Sequence, residues 1–282
     1  MKKFCAIILF TCLTISVCNL SVSARNEIRD SDGTLVMDKY PEVSNPKREK
    51  IQELFRKAEE GIISEEVVGA ALRETYPERY SNRQNNISYT RESVMGRNLS
   101  FTTLWRAWQI PQANSYYCGP ATAEIVLRSH RVLKDQHDLA DELDTDNFGG
   151  TPWFISDSIG YPMKNVLDDN IDEEDYHNVS ANPSAESLAT LTRLCVNNWE
   201  HAIAANMYIE PSDEDRPAAY PGGIRIAHWV AVRGYANDGD YIQWAEPAYN
   251  SPVSWSDQIE EPNLYTTKEI LASCVSSRGI IW

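Results

Sequence analysis

The sequence predicts an α+β fold in which a helical part packs on an antiparallel sheet. Residues 121–132 carry apolar side chains at spacings of three and four after Gly119-Pro120, which predicts a helix. Residues 224–235 and 241–245 are rich in β-forming side chains and flank a polar, glycine-containing segment, which is typical of a β-hairpin. A further helix is predicted over residues 184–205.

The first 24 residues have the pattern of a secretory signal peptide. Met1-Lys2-Lys3 is followed by an apolar stretch over residues 4–17 and by small residues ending at Ala24. The apolar stretch is shorter than the roughly 20 residues that a membrane-spanning helix needs. We therefore expect cleavage after Ala24, a secreted protein (extracellular or periplasmic), and no membrane insertion of the remaining chain.

Charge argues against nucleic acid as a partner. Two of the 26 basic residues lie in the leader, so its removal leaves 24 basic against 41 acidic residues and changes the net charge from −15 to −17. Such a surface repels nucleic acid and anionic lipid. We interpret the acidity as a source of solubility.

Cysteine usage favours one reactive thiol. Three of the six cysteines lie in the leader, which leaves Cys118, Cys195 and Cys274. An odd number in an oxidising compartment leaves at least one unpaired. We expect a Cys195–Cys274 disulfide with Cys118 free for chemistry; alternatively, Cys195 is a small buried apolar residue.

Between the leader and the core domain, residues 25–98 form an N-terminal extension. Apolar spacing within residues 46–80 predicts two short amphipathic helices broken near Gly61, and residues 82–98 are interpreted as a polar linker. The extension is either a pro-segment that blocks a site until it is removed or a small helical cap. Residues 99–282 form the core domain.

Cys118 stands immediately ahead of the predicted helix at 121–132. Backbone N–H groups and the positive end of the helix dipole favour a thiolate there over a thiol. The N–H of Cys118 and the side-chain amide of Gln112, six residues earlier, are candidates for an oxyanion hole. The alternative is a buried cysteine in an ordinary turn.

His228 opens the first strand of the predicted hairpin and Glu246 closes the second. If Val230 lies opposite Glu246, both side chains project from one face and the carboxylate can orient the imidazole. A tight two-residue turn at Asp238-Gly239 would instead send them to opposite faces. The parity of the hairpin therefore decides whether a Cys-His-acid site exists.

No metal or cofactor is expected. The sequence contains no HExxH, CxxC or GxSxG motif. The remaining histidines lack zinc-ligand spacing, and the acidic runs at 168–175 and 210–215 lack the spacing of a calcium loop. The histidines concerned are His130, His137, His177 and His201.

Three separated motifs carry a resemblance to a known family. They are Gln112 with Cys118-Gly119-Pro120-Ala121, then Gly149-Gly150-Thr151, and finally His228-Trp229-Val230 with Glu246-Pro247. Over residues 105–252 the chain resembles the cysteine peptidases that process double-glycine bacteriocin leaders, and especially their secreted, stand-alone relatives of papain-like fold.

The resemblance implies a papain-like cysteine peptidase fold with Cys118 as nucleophile, His228 as base and Gln112 as oxyanion donor. Glu246 stands where the family usually has aspartate. The chain has no GxxxxGK[ST] loop and no spanning helices, so leader processing by an exporter-fused enzyme is not carried over.

The expected function is a secreted cysteine hydrolase that cleaves amide bonds of a peptide or protein substrate through a thioester. Two alternatives remain open. One is a transpeptidase or transamidase that uses the same site with an amine acceptor. The other is a non-catalytic module of the same fold that binds a peptide or glycan.

Overall fold

The computed structural model describes residues 28–29, 35–36, 50, 53–54, 56–58, 60–75, 87–94, 97–171 and 178–282. The leader predicted over residues 1–24 lies outside them. The chain divides into two units, residues 1–39 and 40–282. In the first unit, strands β1 (Ile28–Arg29) and β2 (Leu35–Val36) pair antiparallel. Within the described ranges, no helix combines the length and apolar character needed to cross a membrane.

The second unit is built on an eight-stranded antiparallel sheet. The strands run in the order β3-β4-β7-β6-β10-β5, and β8 pairs with β7 and β9. Strand β7 is the centre of this arrangement because it pairs with β4, β6 and β8. The strands are β3 (Ile87–Val94), β4 (Arg97–Leu104), β5 (Val179–Ala181), β6 (Ile203–Ile209), β7 (Ile226–Ala236), β8 (Tyr241–Ala245), β9 (Asn263–Thr267) and β10 (Gly279–Ile281).

Helices cover both faces of the sheet. They are α1 (Glu65–Thr75), α2 (Cys118–Ser129), α3 (Gln136–Glu142), α4 (Pro162–Asn170), α5 (Ala185–Leu194) and α6 (Lys268–Val275). Along β7, Val230 and Val232 belong to an apolar cluster with α1, α5 and α6, whereas Trp229 and Ala231 belong to a cluster with α2, α3 and α4. This alternation is that of a strand buried on both faces. The predicted α+β class is confirmed.

Two predicted helices have different ends in the structure. The helix predicted over residues 121–132 runs from Cys118 to Ser129, so Cys118 is its first residue. The helix predicted over residues 184–205 is too long, because α5 ends at Leu194 in a π-helical turn and β6 starts at Ile203. The apolar run of β6 is buried on both faces, a pattern that periodicity alone does not separate from a buried helix.

The linker predicted over residues 82–98 was wrong for the part that the structure describes. Residues 87–94 form β3, which pairs along its whole length with β4, and the expected boundary at residue 98 falls inside β4. Strand β3 lies at the edge of the sheet. Edge strands commonly carry polar side chains, which explains why this segment lacks an apolar pattern. The division of the chain into extension and core domain stays a prediction.

The expected Cys195–Cys274 disulfide does not form. Both residues are free thiols buried in the same apolar cluster, so the description of Cys195 as a small apolar residue fits the structure. Burial raises the pKa of the Cys195 thiol above its ordinary value and raises the pKa of Cys274 to about 12. At neutral pH, both side chains are therefore protonated.

The N-terminal extension contains helical residues on both sides of Gly61, as predicted, and Gly61 itself has a positive φ of 69°. Helix α1 packs on α5 through a buried face and a salt bridge. Val68 and Leu72 are buried in the cluster that contains α5. Glu65 accepts two hydrogen bonds from Arg193 of α5, at 3.0 and 2.5 Å.

This packing predicts that Leu72→Ala lowers the free energy of unfolding by about 2–5 kcal/mol, because it leaves a cavity in the core. Val67→Ala on the same helix is the matched control, since Val67 is 47% exposed. Its effect should stay within about 0.5 kcal/mol in urea unfolding. Equal losses for the two variants would contradict the observed packing of α1.

Candidate active site

Cys118 begins helix α2 and is 8% exposed. The first N–H groups of a helix have no acceptor within the helix. Tyr117, at the N-cap position, does not cap them with its side chain. The sulfur therefore lies at the positive end of a twelve-residue helix, beside backbone donors.

A tight contact fixes the start of this helix. A methyl group at Gly119 would overlap the side chain of Thr151. Thr151 is held by a hydroxyl contact of 2.7 Å to Thr145 and by its carbonyl, which accepts a hydrogen bond of 3.1 Å from Trp229 Nε1. The preceding Gly150 has a positive φ of 69°. The Gly149-Gly150-Thr151 motif thus places the Thr151 side chain in close contact with Gly119, the residue that follows Cys118.

The hairpin of β7 and β8 contains one extra residue. Near the turn, Gly234 pairs with Gln243, but beyond Arg233 the next pair is Val232 with Trp244. Arg233 is therefore the extra residue of a β-bulge. The bulge reverses the faces on which the pairing at the turn alone would place His228 and Glu246 relative to each other. The register beyond the bulge places His228 and Glu246 on the same face of the sheet.

Arg233 is buried and anchored where β7 changes partner. Its guanidinium donates to Asn263 Oδ1 at 2.9 Å and to the Leu104 carbonyl at 2.8 Å. Val232 pairs with β6, whereas Gly234 pairs with β4 on the same edge of β7. The bulge lies between these two pairings and is held by side-chain hydrogen bonds as well as by the ladder.

His228 and Glu246 form a buried pair. His228 Nε2 lies 2.6 Å from Glu246 Oε1, and the two side chains are 3% and 0% exposed. Glu246 accepts three further hydrogen bonds, from Ala248 N to Oε1 at 2.9 Å, from Tyr220 Oη to Oε2 at 2.6 Å, and from Trp244 Nε1 to Oε2 at 2.9 Å. Four donors match the accepting capacity of one carboxylate.

This environment makes both groups charged. Burial opposes the charged form of Glu246, but the charge of His228 and the hydrogen bonds from His228, Tyr220 and Trp244 lower its pKa below the ordinary value. Burial likewise opposes the charged form of His228, but the charge of Glu246 and hydrogen bonds to Cys118 and Glu246 raise its pKa. Since Glu246 occupies Nε2, Nδ1 is the ring nitrogen left for Cys118.

Gln112 lies in a segment joined to the residues around Glu246. Its backbone N–H donates to the Pro247 carbonyl at 2.9 Å, and Gln109 Nε2 donates to the carbonyls of Glu246 and Tyr249 at 3.1 and 3.2 Å. The buried Gln112 amide donates one hydrogen to the Asn114 carbonyl at 2.6 Å. An amide nitrogen carries two hydrogens, so a second donor remains for another acceptor.

Two residues at the site, Tyr220 and Trp255, are not predicted from the sequence. Trp244 lies close to the predicted site in the sequence, two residues before Glu246, and strand alternation places the two side chains on one face. Tyr220 lies in a loop, where no periodic pattern marks it. Trp255 packs against both rings, with centroid distances of 5.4 Å to His228 and 5.4 Å to Tyr220. These aromatic side chains shield the ion pair from water.

The histidines outside this site have different surroundings. The rings of His130 and His201 are tilted by 45° at a centroid distance of 4.7 Å, and His137 Nδ1 lies 3.4 Å from the Tyr117 hydroxyl. His177 lies outside the described residues. Over the described part of the chain, no group of three or more His, Cys, Asp or Glu side chains is placed to hold a metal ion.

The opposite pKa shifts predict a pH window for stability. Glu246 stabilises the fold above its ordinary pKa of 4.5, and this contribution is lost as pH falls through its lower folded value. His228 stabilises the fold below its ordinary pKa of 6.5, and this contribution is lost as pH rises through its higher folded value. The pair therefore contributes most between pH 4.5 and 6.5.

In urea unfolding, Glu246→Gln should lose most stability relative to wild type inside that window and less at alkaline pH. Glu260→Gln, at an exposed loop position, is the control and should stay within about 0.5 kcal/mol at every pH. A loss for Glu246→Gln that did not vary between pH 5 and pH 10 would contradict the ion pair.

Comparison with known proteins places these features in a family. The sequence model of the Peptidase_C39 like family matches residues 107–266, more than half of the 282-residue chain. Among solved structures, a Bacillus anthracis protein described as a C39-like peptidase is similar, with 13% identity, a TM-score of 0.42, and coverage of 64% of this chain and 94% of that one. No curated protein matches the chain. The chain belongs to the Peptidase_C39 like family of cysteine peptidases.

Proposed function

We propose that this protein hydrolyses peptide bonds with Cys118 as nucleophile, His228 as base and Glu246 as the residue that orients His228. The observation that carries the proposal is the combination of a cysteine at a helix start with a buried His228–Glu246 ion pair that interacts with it. A peptide substrate agrees with membership of the family.

In the first half of the reaction, the Cys118 thiol passes its proton to His228, and the resulting thiolate attacks the carbonyl carbon and forms a tetrahedral intermediate. The N–H of Cys118 and the second N–H of Gln112 bind the oxyanion. His228 transfers its proton to the leaving amine as the carbon–nitrogen bond breaks, which leaves a thioester on Cys118. In the second half, His228 removes a proton from water, the resulting hydroxide attacks the thioester, the carboxylic acid and the Cys118 thiolate are released, and His228 returns the proton to the thiolate.

Glu246 supports both halves without taking the proton. Its four hydrogen bonds stabilise the carboxylate, so the proton stays on His228. The contact at Nε2 fixes the plane of the imidazole and directs Nδ1 to the sulfur. Glutamate is one methylene longer than the aspartate usual at this position of the family. The bulge at Arg233 places Glu246 on the same face as His228, and the donors from Tyr220 and Trp244 hold the longer side chain in the same orienting role.

The mechanism predicts that Cys118→Ala abolishes hydrolysis of a peptide library, monitored by mass spectrometry, and leaves thermal unfolding close to wild type. Cys274→Ala removes another free thiol and is the control, which should retain turnover. An electrophilic peptide library should label Cys118 in the wild type and report the preferred residues. Hydrolysis that persisted in the Cys118→Ala protein would show that the mechanism is wrong.

Gln112 offers an independent test of the oxyanion hole. Gln112→Ala should lower kcat about 10²- to 10³-fold with little change in KM, because the donor acts on charge that develops in the transition state. Gln112→Glu, nearly identical in shape, should lose at least as much because a carboxylate repels the oxyanion. Gln258→Ala, at an exposed position, is the control. An unchanged kcat in both Gln112 variants would remove Gln112 from the site.

A further inference from the structure

We propose that Tyr220 is a positioning residue, whose hydroxyl holds the Glu246 carboxylate in the orientation that aligns His228 with Cys118. The inference rests on the proposed function of the Cys118, His228 and Glu246 group. Tyr220 belongs to no motif of the sequence, and it reaches the site from the loop between β6 and β7.

The argument starts from the two oxygens of Glu246. Oε1 accepts from His228 Nε2 and Ala248 N, and Oε2 accepts from Tyr220 Oη at 2.6 Å and Trp244 Nε1 at 2.9 Å. The last torsion of a glutamate side chain is broad, so contacts to one oxygen alone do not fix the plane of the carboxylate. The donors at Oε2 supply the second point of attachment.

The loop that carries Tyr220 is ordered by its own hydrogen bonds. Arg216 donates to the carbonyls of Glu210 at 2.8 Å, Asp213 at 3.2 Å and Pro221. Tyr220 N donates to the Pro217 carbonyl at 2.9 Å. The Tyr220 ring is buried and packs on Trp255 at a centroid distance of 5.4 Å. The hydroxyl is therefore delivered to Glu246 by a structured segment.

The titratable groups around this contact keep Tyr220 a donor. His228 of β7 faces Glu246, Cys118 interacts with His228, and Cys274 of α6 faces Tyr220. Burial and the charge of Glu246 raise the pKa of Tyr220 well above its ordinary value. The hydroxyl is thus protonated at neutral pH, and its hydrogen bond to Glu246 favours the ionised carboxylate.

A positioning role and a purely structural role differ in pH dependence. Loss of a donor raises the pKa of the carboxylate, since hydrogen bonds to the charged form lower it. A protonated Glu246 cannot hold His228 as imidazolium. The activity of a Tyr220 variant should therefore disappear at a higher pH on the acidic side of its profile. Loss of packing alone would lower stability and leave that limb in place.

The main variant is Tyr220→Phe, which keeps the ring and removes the hydroxyl. We expect kcat/KM at the optimum to fall about tenfold through kcat, with KM unchanged, as for loss of one hydrogen bond to a charged group. The acidic limb should move to higher pH. Tyr235→Phe is the matched control, because the hydroxyl of Tyr235, on the same sheet, donates to the amide oxygen Asn197 Oδ1 at 3.1 Å and accepts from Asn197 Nδ2 at 2.8 Å. Its limb should not move.

A second readout needs no substrate. The rate of Cys118 alkylation by iodoacetamide, quantified by mass spectrometry across pH, should show the same displacement in Tyr220→Phe and none in Tyr235→Phe. If wild type cleaves no peptide but alkylation shows this displacement, the proposed function fails and the role of Tyr220 stands. If Tyr220→Phe matches wild type in both profiles, the role of Tyr220 is overturned.

Should Tyr220→Phe not fold, 3-fluorotyrosine at position 220 provides the reverse test. Fluorine makes the hydroxyl a stronger donor and leaves the ring nearly unchanged in size. The acidic limb of the alkylation profile should then move to lower pH. No movement, or movement to higher pH, would overturn the proposal.

Discussion

The fold of the second unit depends on keeping one buried carboxylate charged. Removing an unpaired ion from water costs several kcal/mol, so Glu246 is stable only with its donors in place. Those donors come from β7, from β8, from the β6–β7 loop and from the turn that follows Glu246 itself. Two other segments, β7 and the β6–β7 loop, must therefore reach the segment that carries Glu246 together, which couples the assembly of the sheet to the geometry of His228.

The nucleophile and its base come from different layers, and Thr151 connects them. Its side chain packs on Gly119, next to Cys118, and its carbonyl accepts from Trp229, next to His228. A helix and a strand that met only through apolar contacts would leave sulfur and imidazole free to slide by fractions of an ångström. Thr151 instead holds both Gly119 and Trp229 against one turn. The short glycine-containing motif thus positions the nucleophile and the base without taking part in the chemistry.

Much of this arrangement can be predicted from the sequence, and the predictions that were wrong or missing have physical causes. Cys118 ahead of a helix, and His228 and Glu246 at the two ends of a hairpin, were readable because caps and strand alternation are local. The polar segment at 82–98 was misread as a linker since an edge strand needs no apolar face. Tyr220 was not predicted because residues in a loop follow no periodic pattern of apolar and polar side chains. Arg233 gave no signal either, as a bulge depends on the strands on both sides of it.

The bulge at Arg233 also means that the number of residues between His228 and Glu246 does not by itself fix the site. Deleting the bulged residue would leave a regular ladder with the same pairs, Gly234–Gln243 and Val232–Trp244, and inserting a residue between Ala236 and Tyr241 would lengthen the turn without moving those pairs. Either change alone keeps His228 and Glu246 on one face of the sheet. Relatives can therefore differ by single residues in this hairpin and still share one arrangement of base and acid, and a sequence alignment that allows no gap here would misassign the acid.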